Sequence, residues 1–149
     1  MNPPRLRAAS AYRNIGIETR ADKHDQYEVA LLMFEAVLES LSAAQGAIDG
    51  GDVVSKVKHI DKAIRVLQDG LRTSLDLDNG GELAANLDAL YDYAVLQITT
   101  ANLRNDKAQL AAVANLIRPI AEAWRDIRPT PAAHNTGAAQ APAYAMAGA

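Results

Sequence analysis

The sequence predicts an all-α protein: an antiparallel up-down four-helix bundle with an N-terminal capping segment and a disordered C-terminal tail. Three observations lead there. Apolar residues make up 49% of the 149-residue chain but aromatics only 5%, with one Trp and one Phe, a balance that suits helix-on-helix packing rather than a β-sandwich. Apolar positions recur at alternating spacings of three and four in four separate stretches, the signature of helix faces. Short turns rich in Gly, Asp and Asn join these stretches, which implies antiparallel neighbours. The predicted organisation is a flexible N-terminal segment over 1–25, partly a lid, a bundle over 26–128, and an Ala- and Pro-rich tail over 129–149.

The first helix is expected from Gln26 to Ile48, where Tyr27, Leu31, Phe34, Leu38, Leu41 and Ile48 share a face. Asp25 followed by Glu28 reads as a capping box with Asp in the usual Ser or Thr place. Gly50-Gly51 ends the helix, because glycine accepts the left-handed conformation of a C-cap. Asp52 is a natural N-cap for the second helix, whose apolar stripe is Val53, Val57, Ile60, Ile64, Leu67 and Leu71. Its other face carries Lys56, Lys58, Asp61, Lys62, Arg65, Asp69 and Arg72 and is mostly polar.

A turn over Asp78 to Gly81 introduces the third helix, with Leu83, Leu87, Leu90, Ala94, Ile98 and Ala101 on one side. Asp106 opens the fourth as an N-cap, with Gln109 placed to reciprocate. Leu110, Val113, Ile117, Ile120, Trp124 and Ile127 form its apolar face. Pro119 falls inside this helix, deletes one backbone hydrogen bond and is expected to bend the axis. Beyond Arg128 no apolar periodicity remains, which predicts disorder. At the other end, Tyr12, Ile15 and Ile17 give the N-terminal segment enough apolar character to pack over the bundle.

Several functions are disfavoured by composition. A net charge of -3 without a Lys/Arg cluster gives no footprint for nucleic acid or an anionic membrane. There is no Cys, so disulfides and cysteine-type zinc sites are excluded. None of His24, His59 and His134 has a Glu three residues before it, against a di-metal carboxylate bundle. Asp22, His24 and Asp25 read as solvated residues ahead of a helix, and Gly80-Gly81 as a turn, since no phosphate-loop pattern accompanies it. No nucleophile-base pattern stands out, so no enzyme, cofactor or metal is expected. The N-terminus lacks a signal-peptide apolar region, and the apolar runs read as too short to span a bilayer, so a cytoplasmic protein without membrane insertion is expected.

What the sequence has in surplus is apolar helix surface. From Tyr27 to Phe34 only Glu28 is polar, more than a bundle stripe requires, so some of these side chains are expected outside the core. Tyr91 and Tyr93 are two residues apart and face nearly opposite ways. Tyr91 is expected at the edge of the core. Tyr93 belongs on the flank, either as a ring with its hydroxyl in water or as an amphipathic contact for a partner.

The chain resembles the FliS family of flagellin-specific export chaperones over about Tyr12 to Ile127. The resemblance is carried by KAIRVLQDGLRTSLDLDNGGELAANLDALYDY from Lys62 to Tyr93, by TANLRND from Thr100 to Asp106 and by EAW ending at Trp124. It implies a helical bundle whose N-terminal segment covers an apolar surface. It also implies a cytoplasmic chaperone that binds the disordered C-terminal region of flagellin, prevents premature polymerisation and delivers it to the flagellar type III export gate. Tyr12 corresponds to the family's N-terminal tyrosine, linked with docking at that gate, and Tyr91 and Tyr93 to its Leu-Tyr-Asp-Tyr motif. Many members enter the first helix through Thr-x-x-Pro, whereas ETRADKHDQYEV here has no Pro and is about one turn longer.

A disordered client that orders on binding calls for long apolar grooves with few charges. The expected partner-binding residues are Tyr12, Ile15, Ile17, Leu67, Leu71, Leu87, Tyr91, Tyr93, Leu110 and Ile117. They would hold the client by helix-in-groove contacts. The competing expectation is a self-associating bundle, such as a homodimer when client-free, that uses the same surface without a flagellin client.

Overall fold

The computed structural model describes residues 23–127, with side chains from Gln26 onward; the expected lid and tail lie outside them. The described residues hold four helices and no strand. Helix α1 is Lys23–Asp49, α2 is Val53–Arg65 continuing as a π-helical segment Val66–Arg72, α3 is Gly81–Arg104 and α4 is Lys107–Asp126. Helix α1 packs on α2 and α4, and α3 packs on the same two.

Polar contacts at the two ends fix the directions. Lys107 of α4 reaches Asp49 of α1 at 2.6 Å, and Arg125 of α4 reaches Glu35 of α1 at 3.0 Å. Rising numbers on one helix therefore meet falling numbers on the other. Lys56 of α2 bonds the Asn102 carbonyl of α3, while Arg72 bonds Asp88, so α2 and α3 are antiparallel as well. The result is the expected up-down bundle, with a core that includes Phe34, Leu41, Leu67, Tyr91, Ile98, Leu110, Ile117 and Trp124.

The turns form largely as their residues dictate. Gly51 is left-handed at φ 66°, the Asp52 N–H donates to the Ala47 carbonyl and the Gly51 N–H to the Ile48 carbonyl. Those two bonds are a Schellman motif, whose left-handed φ favours glycine. Asp52 then caps α2 through the Ser55 N–H at 3.1 Å. Asn105 closes α3 at φ 51°, and Asp106 caps α4 through the Gln109 N–H at 3.0 Å.

Local differences are instructive. Helix α1 starts at Lys23, so Asp25 lies within it and is not an N-cap. A helix anchored by the buried run from Val29 extends N-terminally at little cost once nucleated. Gln109 does not reciprocate the Asp106 cap; its amide donates instead to Gln97 of α3 at 2.7 Å. The turn before α3 is organised by Asp76, which accepts from the Asn79 and Gly80 N–H groups. Helix α4 runs unbroken through Pro119.

The largest departure is in α2. Val53 and Val57 of its expected stripe are exposed, whereas Lys56 is buried together with Ile60, Ala63 and Val66. Farther along, Val66-Leu67, Gly70-Leu71 and Ser74-Leu75 are buried in pairs that recur every four residues. In an α-helix a step of four drifts about 40° around the axis. The wider i→i+5 winding reduces that drift, which keeps the pairs on the core and turns Arg72 towards α3.

Helix α1 also departs from expectation. Over Gln26–Asp49 it is long and apolar enough to cross a bilayer by length and composition. The apolar runs are therefore not too short to span. Within the bundle, however, Val29, Ala30, Leu31, Met33 and Phe34 are all buried. The surplus apolar side chains of its opening turns mostly enter the core, and Leu32 is left exposed.

Candidate functional site

The end of the bundle where α1 and α3 begin and α4 finishes carries an apolar groove. Leu83 and Leu87 of α3 face Pro119, Ile120, Ala123, Trp124 and Ile127 of α4 and its end, around a cavity of about 300 Å³. None of the described residues that line it is charged. Leu83 and Leu90 are seven residues apart, so they share a helix face to within about 20°, and Tyr93 lies roughly 60° farther round. Leu83, Tyr93 and Leu116 are exposed large apolar side chains on the two helices that form this seam.

The floor is rigid for identifiable reasons. The Trp124 ring stacks on Tyr27 at a centroid distance of 4.9 Å, and its indole N–H donates to the Tyr27 carbonyl at 3.2 Å. Phe34 packs against both Trp124 and Tyr91, at 6.2 and 6.5 Å between ring centroids. Burial pushes the Tyr27 phenol above its ordinary pKa. Pro119 contributes an apolar ring to the groove, and it has no N–H to donate to the preceding turn. At the other end of the seam the Gln97–Gln109 bond joins α3 to α4.

Two cations are held elsewhere on the bundle. Arg72 bridges Asp88 at 2.9 Å and Asp92 at 3.3 Å on the α2 side of α3. The Asp88 carboxylate raises the Arg72 pKa, so the guanidinium stays charged. At the far end, Lys56 bonds the Asn102 carbonyl at 3.1 Å and Asn105 Oδ1 at 2.7 Å, beside a smaller cavity of about 130 Å³. Among the described residues no group of three His, Cys, Asp or Glu is placed to hold a metal.

The predicted site residues fall into three sets. Leu67, Leu71, Tyr91, Leu110 and Ile117 are buried in the core of this structure, and Tyr91 is central to it rather than at its edge. Leu87 lines the groove and Tyr93 is exposed, 49% by area. Tyr12, Ile15 and Ile17 lie outside the described residues. Ile120, Ala123, Pro119 and Ile127 were not among the predicted site residues. Ile120 and Ile127 were legible as the end of the α4 stripe, and both are half-buried against the core.

An apolar, uncharged groove can accept side chains from an amphipathic segment; it offers no group for proton transfer or metal binding. The family described as "Flagellar protein FliS" matches residues 8–131. The flagellar secretion chaperone FliS of Salmonella typhimurium is 36% identical over 119 residues, covering 80% of this chain and 88% of that protein. Its counterpart in Escherichia coli is 36% identical over 120 residues, with the same coverage of each chain. That of Vibrio cholerae is 32% identical over 130 residues, 87% of this chain and 93% of its own.

Proposed function

This chain belongs to the FliS family of flagellar proteins, and we propose that it acts as a non-enzymatic cytoplasmic chaperone in flagellar export. Its client is the disordered C-terminal region of flagellin, held against premature polymerisation and delivered to the export gate. The observation that carries this reading is the uncharged α3–α4 groove, with Leu83, Tyr93 and Leu116 exposed on its helices. A chain that orders on binding loses about 2–5 kcal/mol of the gross interaction, and apolar burial is what offsets it. An amphipathic client helix would set its apolar face along the seam, while Tyr93 gives a ring contact and a hydroxyl at the rim. Tyr12, Ile15 and Ile17 would cover the apolar surface in the client's absence, with Tyr12 also serving at the gate.

Calorimetric titration of the full chain with a flagellin C-terminal peptide tests the proposal. Stoichiometric binding with a negative heat-capacity change is expected. No binding to cognate flagellin would overturn it.

A second reading, self-association of the client-free chain, is favoured by a different observation. Val53, Val54 and Val57 at the start of α2, with Leu103 at the end of α3, are exposed at the opposite end of the bundle. Sedimentation over a concentration series decides: a monomer that persists until flagellin is added rules out the homodimer.

A further inference from the structure

Helix α4 runs unbroken from Lys107 to Asp126 with Pro119 inside it. A proline there has no N–H, so the Asn115 carbonyl, one turn earlier, lacks its usual helical donor. Asn115 and Pro119 are both exposed, and Pro119 lines the α3–α4 cavity. A helical carbonyl points along the axis towards the residue four positions on, which sets the Asn115 oxygen at the rim of the groove. Arg118, the adjacent cation, gives its bond to the side-chain oxygen Asn115 Oδ1 at 2.7 Å.

The rest of the described lining offers no comparable group. Leu83, Leu87, Ile120, Ala123 and Ile127 have no polar side-chain atom, and the Trp124 indole N–H already donates to the Tyr27 carbonyl. Apolar burial is non-directional, so by itself it attracts an amphipathic helix without fixing where along the seam that helix stops. One acceptor at the rim supplies both a direction and a position.

We infer that Pro119 is a specificity-determining residue: it frees the Asn115 carbonyl to accept a hydrogen bond from a hydroxyl, amide or ammonium side chain of the client helix, and so sets the client's register. The inference rests on the chaperone reading. Side chains three or four apart on one helix lie about 5–6 Å from each other, so a donor at the rim goes with a large apolar side chain one turn away inside the cavity. The recognised segment therefore pairs a donor with a Leu, Ile, Met or Phe at that spacing. A segment with an apolar residue in the donor's place covers the acceptor and leaves it unpaired, which is worse than leaving it in water.

Pro119→Ala and Pro119→Val both restore an N–H to the Asn115 carbonyl, and Val also keeps an apolar side chain at the groove. The melting temperatures of both variants should rise; a fall in both would show that the helical bond is not regained and overturn the inference. By calorimetry on the full chain, each should bind the flagellin C-terminal peptide about three- to tenfold more weakly than the parent, the worth of one hydrogen bond. Parental affinity in Pro119→Val overturns the inference and assigns any loss in Pro119→Ala to apolar contact. An alanine scan of the peptide, repeated on Pro119→Val, gives a readout that packing alone does not move: one donor residue should matter to the parent and not to the variant. If no polar position of the peptide is coupled to residue 119, the inference fails while the chaperone reading stands. If the parent itself does not bind the peptide, both fall.

Discussion

Trp124 and Tyr27 are joined twice, by a stacked ring pair at 4.9 Å and by a hydrogen bond from the indole N–H to the Tyr27 carbonyl at 3.2 Å. The pair fastens the end of α4 to the start of α1, and Trp124 lines the apolar groove. Trp124→Phe keeps most of the aromatic area and removes the donor, so a loss of about 1 kcal/mol is expected. Trp124→Ala should cost about 3–5 kcal/mol, as for other large-to-small aromatic truncations. Urea unfolding followed by circular dichroism measures both, since Trp124 is the only Trp. An unchanged midpoint for Trp124→Phe would show the hydrogen bond to have no net worth.

Arg72 holds α2 to α3 unequally. Its side chain and that of Asp88 are each 30% exposed, whereas Asp92 is 70% exposed and its bond is longer. Asp88→Asn should therefore cost about 0.5–1 kcal/mol and Asp92→Asn close to nothing, given the small worth of exposed pairs. Raising the salt concentration should narrow the difference. Equal losses for the two variants would contradict this division.

Lys56 is a buried cation, 8% exposed, and its ammonium is held by the Asn102 carbonyl and by Asn105 Oδ1. Both acceptors lie at the C-terminal end of α3, where the helix dipole favours positive charge. Lys56→Met preserves the aliphatic stem but leaves those acceptors unpaired, at a cost of about 1–3 kcal/mol. Thermal or urea unfolding decides; a variant as stable as the parent would assign Lys56 to packing alone.

The Asp52 cap makes a pH prediction. The Ser55 backbone N–H, aided by the Ser55 side chain, lowers the Asp52 pKa below its ordinary 3.8. The folded state thus binds this proton less readily than the unfolded state. The stabilisation is present above about 3.8 and is lost as the pH falls through the lower folded value. Asp52→Ala should lower the melting temperature at neutral pH, and the gap to the parent should shrink in the acid limb. A gap that does not change with pH would rule out the ionised cap as its source.

How much of this was legible in the sequence follows from how local each feature is. Gly51, Asp52 and Asp106 act on backbone groups within a few residues, so their roles could be read from order alone. The buried face of α2 could not. Val53 and Val57 match a helical period, but Lys56 is drawn inward by acceptors 46 and 49 residues away, which no local pattern contains. The groove was half visible: Leu87, Ile120 and Ile127 carried the right spacing, but only the meeting of α3 with α4 shows which side is left open. Leu67, Leu110 and Ile117 have the same spacing and fill the core instead.

Tyr91 and Tyr93 give the sharpest separation of stability from binding. Tyr91 is 2% exposed and packs against Phe34, whereas Tyr93 is 49% exposed two residues later. Tyr91→Ala removes a core aromatic and should cost about 3–5 kcal/mol. Tyr93 lies outside the buried core, so Tyr93→Ala should alter stability by no more than about 0.5 kcal/mol. If the α3–α4 seam receives the client, Tyr93→Ala should nevertheless weaken flagellin-peptide binding by about tenfold or more, the loss typical of an aromatic interface residue. Tyr93→Phe separates the ring from the hydroxyl and should retain most of the affinity. Measured by calorimetry beside melting temperatures, full affinity in Tyr93→Ala would move the client contact away from this flank of α3.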